Sequence, residues 1–118
     1  MKRSELEERL IEFSVLIIKL SNEMNKTKAA HHLSGQIIRS GTSVALNYGE
    51  AQSAESKKDF IHKMSISLKE LRETKMAMEL IAELFDKYNI IDIENQITES
   101  NELISIFVKS IQTANKNK

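Results

Sequence analysis

The sequence predicts an all-α fold, an antiparallel up-down-up-down four-helix bundle, on three observations. None of its 118 residues is proline, the commonest helix breaker, and only three are glycine. Apolar residues recur three and four apart through four long stretches. The polar breaks between them are short, which sets consecutive helices side by side in opposite directions. The length suits one domain over residues 1–118 with a single modest core, and no repeat or composition shift marks a second.

Helix one is expected to begin at Ser4, whose hydroxyl caps the helix while Glu7 reaches back, an S-x-x-E capping box. Leu6, Leu10, Phe13, Ile17, Leu20 and Met24 make a heptad-like seam, and Val15, Leu16 and Ile18 lie off it, so more than one face calls for burial. Asn22, Asn25, Lys26 and Thr27 mark the first connection. Helix two runs from about Ala29 to Gln52, with Leu33, Ile37, Val44 and Tyr48 on its apolar face. It is also rich in small residues: Gly35, Ser40, Gly41, Thr42, Ser43, Ala45 and Gly49. Glycine inside a helix costs about 1 kcal/mol relative to alanine, and close approach of a neighbouring helix is the expected offset.

Ser53 to Ser56 form the next turn, with Ser56 and Asp59 as a second capping pair. Helix three, about Lys57 to Asp86, buries Phe60, Met64, Leu68, Leu71, Met78, Ile81 and Phe85. A loop at Lys87 to Ile91 and a cap at Asp92 lead to helix four, which carries Ile97, Ile104, Phe107, Val108, Ile111 and Ala114 before a polar tail. With the second turn centred near residues 53 and 54, antiparallel registration sets Glu70 beside Gln36 and Arg39, and Glu50 beside Lys57. A planar guanidinium held by a carboxylate between packed helices is a structural fastening.

The chemistry is bounded by what is missing. With no cysteine there are no disulfides, thiol nucleophiles or thiolate zinc sites. The N-terminus lacks the apolar run of a signal peptide, and Leu10 to Leu20 is too short and too interrupted, by Glu12 and Lys19, to span a bilayer. A cytoplasmic protein without a membrane partner is the expectation. A diiron bundle needs two E-x-x-H elements and two further carboxylates. Only Asp59-Phe60-Ile61-His62 comes near, and neither His31 nor His32 has an acid three residues upstream, so no metal or other cofactor is expected. Asp59 instead reads as a first-turn acid favoured by the helix dipole, and His62 as a surface residue. There is no glycine-rich phosphate loop and no G-x-S-x-G, while Glu70 and Glu73, with Lys69 and Arg72 beside them, read as a salt-bridged face. No catalytic residues are assigned, and the chain is not expected to be an enzyme.

Seventeen basic and seventeen acidic residues cancel, so nucleic-acid binding needs a local patch. Four Phe, two Tyr and no Trp give little material for stacking bases. In an up-down bundle the N-terminus, the turn between helices two and three, and the C-terminus share one end. Lys2, Arg3, Lys57, Lys58, Lys63 and Lys116 gather there with Lys118, and they are the candidate nucleic-acid contacts. Glu5, Glu7, Glu8, Glu55 and Asp59 dilute them, and a solvated mixed-charge end is the plain alternative.

The run from Ser43 through Lys63, S-V-A-L-N-Y-G-E-A-x-x-A-x-S-x-x-D-F-I-x-K, followed by L-K-E-L-R-E-T, resembles a family of bacterial four-helix bundle proteins. These were first noticed as products of intervening sequences in 23S ribosomal RNA genes. The pattern is carried by Ser43, Asn47 and Glu50, by Asp59 and Phe60, and by Lys69, Glu70, Glu73 and Thr74, with Arg39 facing the last group. The match is close over helices two and three and fits the layout of the whole chain. One departure is visible: many relatives carry an aromatic residue, often Tyr-Trp, just after the last element, where this chain reads Lys75-Met76-Ala77-Met78. The resemblance implies an up-down bundle that assembles as a homopentamer with a central channel, and a function uncharacterised for most members. A similar family, the accessory proteins of diversity-generating retroelements, is pentameric and binds nucleic acid and a reverse transcriptase through basic surfaces. The expected role is a non-enzymatic, self-associating accessory or scaffold factor acting on RNA, a ribonucleoprotein or a nucleic-acid enzyme. A protein–protein adaptor without nucleic acid is the rival.

Overall fold

The computed structural model describes residues 1–24, 27–84 and 93–117. Its helices are α1 (Arg3–Glu23), α2 (Lys28–Gln52), α3 (Lys57–Leu84) and α4 (Ile93–Lys116). They form an all-α bundle measuring 48 × 22 × 20 Å, in which α2–α3 is the most extensive of the four main pairings and α1–α4 the thinnest of them. The expectations for Asn25, Lys26, Phe85, Asp86, the loop at 87–91, the cap at Asp92 and the last residue lie outside the described residues. No described helix is long and apolar enough to cross a membrane.

The seam foreseen on α1 is the core: Leu6, Leu10, Phe13, Ile17 and Leu20 are buried, facing Ile37, Val44 and Tyr48 of α2. From α3 come Met64, Leu68, Leu71, Met78 and Ile81, and from α4 Ile93, Leu103 and Phe107. Burying a side chain of this size contributes about 1.5–3 kcal/mol relative to leaving it in water. On α4 the expected Phe107 is central, while Ile97, Ile104, Val108, Ile111 and Ala114 are half-buried on its flanks. The buried row of α4 instead runs through Gln96, Ser100 and Leu103, and its two polar members hide the stripe in the sequence.

Of the two expected caps that fall on described residues one forms, and α2 gains a cap that was not expected. The Asp59 N–H donates to Ser56 Oγ at 3.0 Å, and Thr27, read as a connection residue, caps α2 by accepting from the Ala30 N–H at 3.1 Å. The capping box at Ser4 does not form. The Lys2 carbonyl already accepts from the Leu6 N–H at 3.1 Å, so α1 starts before Ser4, and Glu7 pairs with Arg3 at 3.2 Å instead. Helix α1 also continues through Asn22, and α4 continues into the polar tail as far as Lys116.

Close packing explains one glycine of α2. A Cβ on Gly41 would lie 2.9 Å from Ile17 Cγ2, whereas Gly35 and Gly49 have nothing within 4 Å of theirs. The off-seam residues of α1 differ from expectation too: Val15 and Ile18 are exposed within the single chain.

Candidate functional site

The motif residues of α2 and α3 converge on one polar seam. Arg39 forks between Glu70 at 3.2 Å and Glu73 at 3.0 Å, and this carboxylate pair raises its pKa, hydrogen bonding to Glu73 being the larger cause. Next to them and inward, the Thr74 and Ser40 hydroxyls bond at 2.8 Å, both fully buried, and Ser67 Oγ donates to the Val44 carbonyl at 2.7 Å. Asn47 Nδ2 donates to Ser43 Oγ and to the Ser43 carbonyl, both at 2.9 Å. Buried hydroxyls and a bifurcated ion pair fix the rotation and sliding of two helices against each other, because any slip leaves polar groups unpaired in a dry interface.

Arg39 meets Glu70 as the sequence reading sets it, but the expected partner of Glu50 is displaced along α3. Glu50 pairs with Lys63 at 2.9 Å, a contact that raises the lysine pKa, rather than with Lys57. The connection occupies all of residues 53–56, and Lys57 is only the first residue of α3, so Glu50 stands level with the helix's second turn. Lys69 points to solvent, and Phe60 is half-buried against the core.

Of the candidate nucleic-acid contacts, Lys2 and Arg3 come together with a residue the sequence reading missed, Lys109 of α4. They line a groove of about 610 Å³ whose apolar wall is built from Leu6, Tyr48, Phe60 and Ile106. Tyr48 is buried with its ring tilted 56° against Phe107 at 5.9 Å, and that burial pushes its phenol pKa up. Lys57, Lys58 and Lys116 are exposed at the same end but do not line the groove, and Lys63 is taken up by Glu50. Lys109 sits between half-buried Val108 and Ser110, which in sequence reads as an ordinary solvated helix position.

His62 is exposed, and among the described residues no three of His, Cys, Asp or Glu cluster in a way that could hold a metal ion. Two outer faces stay apolar. Ile11, Val15, Ile18, Ile38 and Leu46 are exposed along α1 and α2, and Met76, Leu80 and Leu84 along α3. Met76 follows the last motif element by two residues and is exposed, while its neighbours Ala77 and Met78 are buried in the core.

The geometry agrees with the comparisons. A crystal structure from Bacteroides thetaiotaomicron VPI-5482, described as a protein with unknown function from the S23 ribosomal protein family, superposes with a TM-score of 0.78 at 33% identity. The match covers 89% of this chain and 96% of that one. No curated protein matches the chain. The family model for the 23S rRNA-intervening sequence protein matches residues 2–106, which take in α1 to α3, the first part of α4 and the motif residues. The chain belongs to the 23S rRNA-intervening sequence protein family.

Proposed function

We propose that this protein is a non-enzymatic, self-associating helical bundle that acts in the cytoplasm as an accessory or scaffold factor on RNA or a ribonucleoprotein. The observation that carries the RNA reading is the groove at the basic end. Lys2, Arg3 and Lys109 rim an apolar wall that includes Phe60, and the exposed Lys57 and Lys58 lie at the same end. Cations beside a half-buried aromatic ring suit a phosphate backbone with an unstacked base. Arg3 and Lys63 already hold acids, so one subunit offers few free cations. A ring, of five in keeping with the family resemblance, repeats that end around its axis and adds avidity. The absence of catalysis is supported by Glu70 and Glu73, the one close acid pair of the motif, which are both engaged by Arg39.

Fluorescence anisotropy with a structured RNA over a salt series tests this. Wild-type protein is expected to bind with a steep salt dependence. Lys57→Gln with Lys58→Gln, and separately Lys2→Gln with Lys109→Gln, should weaken binding and flatten the slope, since fewer counterions are released. No binding by wild-type protein even at low salt overturns the RNA role. The exposed apolar faces then favour the second reading, a protein–protein adaptor.

A further inference from the structure

The apolar row on the α1/α2 side has a matching surface on the same chain. Two adjoining hollows between α3 and α4, of about 590 and 420 Å³, share Arg72 and Met76 and so form one trough. Its apolar lining is Leu68, Met76, Ile104 and Ile111. With helices packed in the order α1, α2, α3, α4 around the bundle, this trough lies on the side away from α1/α2.

The two surfaces stand at the same height along the bundle axis. Ile17 lies against Gly41, and Ser14 Oγ reaches the Gly41 carbonyl. The preceding residue, Ser40, bonds Thr74, and the Val44 carbonyl accepts from Ser67. Transferring height through these contacts sets Ile11, Val15 and Ile18 level with the stretch of α3 from Ser65 to Met76, which is the stretch that lines the trough. A head-to-tail contact closes into a ring only if each copy adds rotation without rise; unequal heights would give an open helical filament unless the bundles tilt.

Charge is complementary as well. Lys69 and Arg72 border the trough, and neither has an ion-pair partner among the described residues. Glu8 and Glu12 flank Ile11 and Val15, are exposed, and likewise have no basic partner there. Like surfaces would set Glu8 and Glu12 against their own copies, which disfavours a symmetric face-to-face dimer.

We infer that the α3/α4 trough of one copy receives the Ile11–Val15–Ile18 row of the next, in a repeated head-to-tail contact with Glu8 and Glu12 against Lys69 and Arg72. This rests on the self-association proposed above and specifies which faces make it. The absence of cysteine permits a direct test. Val15→Cys and Met76→Cys are made singly and together, each checked for wild-type helical content and for mass by light scattering, then oxidised. Mixed single variants should form a disulfide-linked dimer, and neither should cross-link alone. The double variant should give a ladder whose last band is the closed ring. A monomeric wild-type protein overturns self-association and this inference together. An oligomer whose mixed variants do not cross-link, or in which Val15→Cys links to itself, overturns the face assignment and leaves self-association standing.

Discussion

Gly41 and Ile17 meet so closely across α1 and α2 that a methyl group on the glycine would stand 2.9 Å from Ile17 Cγ2 and 3.4 Å from its Cβ. The obstruction reaches the root of a β-branched side chain, which has little freedom to move aside. Gly41→Leu is therefore expected to cost about 1–3 kcal/mol through overpacking. Gly35→Ala, with nothing within 4 Å of the new methyl, should gain up to about 1 kcal/mol from helix propensity. Urea unfolding of the two variants checks the opposite signs.

The Thr74 hydroxyl lies 2.8 Å from both Ser40 Oγ and the Glu70 carbonyl, in a site closed to water. Thr74→Val keeps the shape and deletes the polar contact, and the expected loss is about 1 kcal/mol. Ser40 still donates to the Gln36 carbonyl at 3.0 Å, so its hydroxyl is not orphaned. A loss above about 3 kcal/mol by the same unfolding measurement would show that the pair supports more than the local seam.

Arg9 is the fastening of the thin α1–α4 contact. Its Nη2 and Nε reach the two Glu99 oxygens at 2.6 and 3.0 Å, and hydrogen bonding to Glu99 is the main reason its pKa is raised. Both side chains keep about a quarter of their surface in water, 26% and 28%, so solvent screens the pair. A double-mutant cycle of Arg9→Ala and Glu99→Ala should return a coupling of about 1 kcal/mol that shrinks in high salt.

Tyr48 sets an alkaline limit. Burial raises its folded-state pKa above the usual value of about 10, so the phenol's contribution is complete below that value and is lost as pH rises through the folded pKa. Lys63, also raised by Glu50, weakens in the same direction. Melting temperature should fall faster above about pH 10 in wild-type protein than in Tyr48→Phe. Equal slopes would assign the alkaline loss to the cations.

The core of α1 was legible because Leu6 through Leu20 repeat at the helical period with no polar interruption. The Arg39–Glu70 contact was legible because two helices joined by a short turn can only pair in opposite order. The partner of Glu50 was not, since the extent of the turn decides which turn of α3 it meets. Nor could a sequence separate Gly41 from Gly35 and Gly49, because the difference lies in what stands opposite each. Lys109 went unseen for a related reason: its groove is assembled from the two ends of the chain and the middle.

The unequal packing of the four helices grades the molecule's resistance to local opening. The α2–α3 hairpin carries the most extensive contact and the buried hydroxyls, and its partners lie near in sequence, so its loop closes early. Helix α4 meets α1 sparingly and can detach from that side without disturbing the hairpin. Backbone amides at the centres of α2 and α3 should then exchange with deuterium only on global unfolding, and those of α4 sooner.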